Sequence, residues 1–362
     1  MGVSISLDYS MVGQQGRARQ EEKAMRGEVL KPRLGTAIAW VTAVGLLPGA
    51  ASPVAPPVVI TEWKVPWAQS RPRDPYVDPQ GRVWFVGQAG NYLAYLEPTK
   101  GEFKRYEIDP GTHPHNLIVD PKGVVWYAGN ANGTIGRLEP ASGKITRYPM
   151  PDKAAGDPHT LVFDRNGDIW FTVQRGNFVG KLTAATGAIR LIRVPTANAL
   201  PYGIAVDGKN HPWFVEFGSN KLGTVDPATF KLTEYTLPNG AARPRRIAIT
   251  SDGRIWYGDY MRGMLGRFDP ASGAFAEWPV PNGSSALPYA MAVDDRDRLW
   301  VVETGPQPNR LVGFDPASQK FFSQTPIAES GGVTVRHMVY HAGTKALWFG
   351  TDANTIGRAQ LP

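Results

Sequence analysis

The sequence predicts an all-β, seven-bladed β-propeller built from four-stranded antiparallel blades. Three observations carry this. Trp84, Trp126, Trp170, Trp213, Trp256, Trp300 and Trp348 recur at intervals of 42, 44, 43, 43, 44 and 48 residues, a period that marks a repeat architecture. The segments around them repeat as well: VDPQGRVWFVG, VDPKGVVWYAG, FDRNGDIWFTV, VDGKNHPWFVE, ITSDGRIWYGD, VDDRDRLWVVE and YHAGTKALWFG. The 40 Gly, 32 Pro and 11 Trp among 362 residues suit many short strands separated by turns.

In chain order, residues 1–51 read as an N-terminal extension and signal peptide. Lys31 and Arg33 precede Leu34 to Leu47, fourteen residues without a charge, shorter than the roughly 20 needed to span a bilayer. Small residues Gly49, Ala50 and Ala51 follow as a cleavage site, and Met25 is an alternative start to Met1. An uncleaved membrane anchor is the competing interpretation of the apolar run. Residues 52–362 then form the propeller, a single domain without internal linkers. Each unit runs from an apolar strand such as YGIAVD, through an Asp/Pro/Asn/Gly turn, to the Trp strand. A third strand such as GTIGRLEP and a fourth such as LTEYTLP complete it. The seventh unit ends at NTIGRAQLP without a fourth strand, while Ile60 to Pro66 (ITEWKVP) matches the missing one. The N-terminal strand is therefore expected to complete the last blade and close the ring.

The absence of Cys excludes disulfides, thiolate metal sites and cysteine nucleophiles. A net charge of +7 without a long basic run reads as a mildly cationic surface rather than a nucleic-acid footprint. No Walker loop, HExxH, GxSxG or dinucleotide fingerprint stands in a suitable context.

One register is expected to face the axis. Eleven residues before each Trp stand Arg73, His115, His159, Tyr202, Arg245, Tyr289 and His337, each after a Pro except His337, which follows Arg336. These side chains should ring the channel mouth, either as a ligand-binding face or as a hydrogen-bonded polar plug. A second register, three residues past each Trp, brings the carboxylates Glu216, Asp259 and Glu303, with Asp352 one position later in the last unit. Such carboxylates suit Mg²⁺, which prefers oxygen ligands, or ion pairs with Arg245. Asp157-Pro-His159 adds an acid beside His115, a weaker pointer to an acid–base or metal centre.

The repeat unit, P-[HY]-x-I-x-V-D-x-x-G-x-[IV]-W-F with N-x-I-G-R-[IL]-D-P after it, resembles the streptogramin B lyase (virginiamycin B lyase) family across residues 60–362. The resemblance implies a seven-bladed propeller that opens a cyclic depsipeptide at its ester by elimination. It also implies a Mg²⁺ held by two acids and a His base in the last blade. His337 matches the base and Asp352 the acid after Trp348-Phe349. Three positions depart: Tyr289 stands where the family has His, Val335-Arg336 where it has Glu-Pro, and Arg73 where it has Tyr. Glu303 could replace the missing metal carboxylate. The expectation is an exported, monomeric carbon–oxygen lyase on a cyclic ester, with a small-molecule or cyclic-peptide ligand and no nucleic acid. The alternatives are a non-catalytic propeller binding a small molecule, peptide or cell-wall fragment, a lactonase-like hydrolase, and an interaction scaffold.

Overall fold

The computed structural model describes residues 58–328 and 333–362. The expected leader, its cleavage site and the alternative start at Met25 lie outside the described residues. Among the described residues no helix is long and apolar enough to cross a membrane.

The expected architecture is present. Seven four-stranded antiparallel sheets follow one another along the chain, six in simple meander order and the seventh closed by the N-terminal strand. Val59–Lys64 pairs with Thr355–Gln360, from Val59 opposite Gln360 to Lys64 opposite Thr355. Trp63 stacks on Trp348 at 5.7 Å, and Thr355 Oγ1 donates to Glu62 Oε1 at 2.7 Å, so the two ends of the propeller clasp.

The repeated residues have identifiable physical tasks. In the VDxxGxxW line, the Asp carboxylate first shapes the turn: Asp78 Oδ1 accepts from the backbone N–H groups of Gln80 and Arg82, both at 2.9 Å. Its other oxygen accepts the indole N–H of Trp84 at 2.8 Å, satisfying a donor that the core would otherwise strand. Asp207 does the same for Trp213 at 3.0 Å and Asp294 for Trp300 at 2.9 Å. In the fifth blade Thr250 takes over the indole contact, at 3.1 Å. The Gly of the IGR segment lies opposite the aromatic residue that follows the Trp, as in Tyr127 opposite Gly136 and Phe214 opposite Gly223. A Cβ at Gly136 would stand 2.0 Å from the Tyr127 ring, so only glycine lets that ring lie flat on the third strand. The Trp side chains fill the core: Trp84, Trp170, Trp256, Trp300 and Trp348 are fully buried.

One irregularity recurs in all seven blades. Each inner strand breaks register with its neighbour where the chain enters it, between Arg73 and Tyr76 in the first blade and between Val335 and Met338 in the last. The other five breaks fall at the equivalent place. A bulge of this kind re-aims side chains out of the regular alternation. In four blades it brings a second, successive polar residue to the same side as the first.

Candidate active site at the channel mouth

The bulged residues assemble a continuous polar and aromatic lining. His115 and His159 lie with ring centroids 3.6 Å apart, and His159 and Tyr202 are 4.2 Å apart. Tyr202 and Tyr289, from the fourth and sixth blades, hydrogen-bond through their hydroxyls. Arg245, from the blade between them, sits in a box of four aromatic rings. Its guanidinium carbon is 3.8 Å from the Tyr289 centroid, 4.5 Å from those of Phe217 and Tyr260, and 5.2 Å from that of Tyr202. Five of the seven residues of the first register are thus placed on one arc or beside it; Arg73 is held by Gln88 Oε1 at 2.7 Å, and His337 is buried among the charges of Arg246, Asp74 and Arg73.

In four blades the residue after these completes the site, and sequence reasoning missed it. Asp74, Asn116, Thr160 and Arg246 are all buried. Asp74 takes Asn116 Nδ2 at 3.1 Å and Arg246 Nη2 at 3.5 Å, and Arg73 Nε lies 4.0 Å away. Asn116 in turn accepts the backbone N–H of Leu161 at 2.9 Å, tying three blades together. Asp74 has φ of 46°, a left-handed conformation that costs a non-glycine residue on the order of 1 kcal/mol. The signal was visible as two consecutive polar residues (Arg73-Asp74, His115-Asn116, His159-Thr160, Arg245-Arg246) in an otherwise apolar strand. Strict alternation assigns the second to the wrong face, and the bulge restores it to the channel.

The electrostatics follow from this packing. Burial pushes the Asp74 carboxyl up, but His337, Arg246, Arg73 and the Asn116 amide outweigh it and bring the pKa down to about 2. His337 is lowered to about 4, by burial first and then by Arg246 and Arg73, against the pull of Asp74. It is therefore neutral at pH 7. His115 and His159 lie well below their usual value, mainly through burial, with Arg73 the next cause for His115 and Arg246 for His159. Burial raises the Tyr289 phenol, yet Arg245, Arg336, Arg73 and Arg246 overcome it, so Tyr289 is lowered while its partner Tyr202 is raised.

Three carboxylates of the second register, Glu216, Asp259 and Glu303, are bonded elsewhere. Glu216 Oε2 accepts from Ser219 Oγ at 2.7 Å; Asp259 accepts the Arg243 backbone N–H at 3.0 Å and Arg262 Nη1 at 3.1 Å. Glu303 holds the backbone N–H and the side-chain amide of Asn282. Asp259 and Glu303 fasten the loops that lead into their blades, and Glu216 ties the turn that follows its own strand. Asp157 likewise accepts the backbone N–H groups of Arg175 and Gly176, at 2.7 and 3.0 Å. Asp352 forms a two-pronged ion pair with Arg336, at 2.8 and 3.0 Å, and has Arg71 at 3.6 Å. Among the described residues no trio of His, Asp or Glu is arranged to hold a metal ion. The donor set does not fit Mg²⁺: Asp352 faces two guanidiniums, and Glu303 is occupied by Asn282.

Comparison with known proteins agrees with the repeat and with the fold. Residues 37–311 match the family model described as the virginiamycin B lyase family. A solved streptogramin B lyase structure is 27% identical, with a TM-score of 0.76, covering 84% of this chain and 98% of that one. Virginiamycin B lyase from Staphylococcus aureus is 25% identical at the same TM-score, covering 84% of this chain and all of that one. A catalytically inactive histidine-to-alanine variant of the S. aureus protein, solved with quinupristin, aligns equally well. No curated protein matches the sequence. The match over residues 37–311, together with the seven closed blades, establishes that the chain belongs to the virginiamycin B lyase family.

Proposed function

We propose that the chain is a carbon–oxygen lyase that binds a small molecule or cyclic peptide at the channel mouth and opens an ester by elimination. The observation that carries this reading is the position of buried His337, in the blade and register of the family's base, where the charges of Arg246, Asp74 and Arg73 all bear on it. Elimination needs a base to take the proton on the carbon next to the one bearing the ester oxygen. His337 is unprotonated at neutral pH and can accept that proton. The imidazolium then formed is stabilised by the Asp74 carboxylate, which stays ionised down to about pH 2. Negative charge developing on the substrate meets Arg73, Arg246 and Arg336, fixed guanidiniums in a partly desolvated site. No step is assigned to a metal ion.

The test is incubation with a streptogramin B depsipeptide and a panel of lactones, read by mass spectrometry. Elimination gives a linear isomer of unchanged mass, whereas hydrolysis adds one water and would point to a lactonase. His337→Ala should lower turnover by about 10²–10⁴ with the fold intact. Turnover that survives this substitution would remove His337 from the mechanism. A second reading, a non-catalytic propeller that binds its ligand, is favoured by the Arg336–Asp352 ion pair at a position where the family carries a metal acid. It is supported if no ester or lactone turns over and binding still depends on Tyr289 or Arg245. Export is proposed on the charged and apolar leader of residues 31–47; N-terminal sequencing of protein from its host should find a start just after Ala51, and an intact leader would refute processing.

A further inference from the structure

The mouth carries more positive charge than its own carboxylates answer. Arg71, Arg73, Arg245, Arg246 and Arg336 converge there, against Asp74 and Asp352. The nearby histidines do not compensate, since they are neutral or cationic in every state. Among the described residues Arg245 has no carboxylate within ion-pair reach, and its Nε is buried with no hydrogen-bond partner. The Nε of Arg73, itself 5% exposed, is likewise without a hydrogen-bond partner. Mutual repulsion is felt at the rim: Arg71 is lowered from its ordinary value by burial, then by Arg336 and Arg73. Arg73 has Asp74 and Gln88 as partners, while among the described residues Arg245 is met by aromatic and phenolic rings alone, with Tyr289 only about half ionised near pH 7, so this guanidinium can still take an anion. Arg245 and Arg336 flank one ring, at 3.8 and 5.9 Å from the Tyr289 centroid, and Arg71 adds a half-exposed guanidinium beside Asp352. Phe217 and Tyr260 supply an apolar wall next to Arg245.

We propose that Arg245, with Arg71 and Arg336, forms a carboxylate-binding subsite that receives the carboxylate released when the ester is opened. The assignment rests on the elimination reading above for its role, though not for the binding itself. In that step the base takes the proton, the C–H electron pair becomes the C=C bond, and the C–O pair leaves on the carboxylate oxygen. The leaving group is thus an anion born at the site, and planar guanidiniums match its two oxygens. Stabilising the leaving group as its charge develops is a task that these arginines are placed to perform.

The test uses N-acetyl-L-phenylalanine and its uncharged amide as probes, titrated calorimetrically into the full chain at low salt. The acid should bind at least tenfold more tightly than the amide, and the preference should shrink with added salt. Arg245→Gln and, separately, the more exposed Arg71→Gln should each reduce the preference severalfold; the second guards against a folding defect in the first. Equal affinity for acid and amide, or a preference untouched by both substitutions, would overturn the subsite. Inorganic phosphate binding more tightly than the acid would overturn its assignment to carboxylate. An acid preference in a protein that turns over no ester supports the subsite and sinks the elimination reading; turnover without an acid preference does the reverse.

Discussion

Tyr289 is expected to ionise near neutral pH, and Arg245 is the chief reason. A guanidinium about 4 Å from the ring, at an effective dielectric constant near 20, is worth about 4 kcal/mol to a phenolate. At 1.36 kcal/mol per unit this corresponds to roughly 3 pH units, before burial opposes it. The outcome is a Tyr289 pKa of about 7 against the ordinary 10, with Arg336, Arg73 and Arg246 assisting. Because Tyr202 shares a hydrogen bond with Tyr289 and is itself raised, the pair releases one proton and not two. The perturbation is Arg245→Gln, and the assay is phenolate absorbance against pH, with Tyr289→Phe as the subtraction control. Wild type should show one tyrosine titrating well below the rest, missing in Tyr289→Phe and moved up by roughly 2 units or more in Arg245→Gln. The sign for stability follows: a depressed folded pKa adds stability that is complete above the unfolded value near 10 and is lost as pH falls through about 7. The wild-type advantage over Arg245→Gln should therefore grow between pH 7 and 10. If no tyrosine titrates early in the wild type, or if Arg245→Gln leaves an early titration unmoved, the electrostatic account of the mouth is wrong.

Two further expectations concern the frame. Glu216 is buried, with its pKa raised to about 8, chiefly by burial, so the folded protein holds its proton where the unfolded chain does not. Stability should decline from about pH 4.5 to about pH 8, and Glu216→Gln should flatten that slope in denaturant titrations across the window; an unchanged slope would show that Glu216 is not the group responsible. Deleting residues 58–66 should expose the Thr355–Gln360 strand edge and remove the Trp63–Trp348 stack. Light scattering should then report self-association and calorimetry a lower melting temperature; a truncated chain that remains monomeric with unchanged melting would refute closure by this strand.

The blades were legible in the sequence because their determinants are local and repeated. Asp78 shapes its own turn and satisfies Trp84 six residues on, and Gly136 makes room for Tyr127 in the adjacent strand. Ring closure was legible for a related reason: a missing fourth strand and a matching orphan strand at the other end leave one arrangement that satisfies both edges. The family resemblance then placed His337 and Asp352 in the last blade.

The site was legible only as a register. Counting back from each tryptophan found Arg73, His115, His159, Tyr202, Arg245, Tyr289 and His337, but treated each inner strand as a regular alternation. The bulges of four blades let Asp74, Asn116, Thr160 and Arg246 join the site too, and the ion pair of Asp74 with Arg246, like the charge of Asp74 felt at His337, spans blades that are far apart in sequence. Which carboxylates face the mouth was likewise undecidable from spacing. Glu216, Asp259 and Glu303 share one position, yet each is captured by a neighbouring loop, while Asp352 meets Arg336 and Arg71. The sequence by itself determined the number of blades, their internal strand order and the ring's closure, because each depends on short-range hydrogen bonds and steric fit written into every repeat. The charge balance of the mouth was decided only by the tertiary structure, because it depends on which groups from seven separate blades come within a few ångströms of one another out of water.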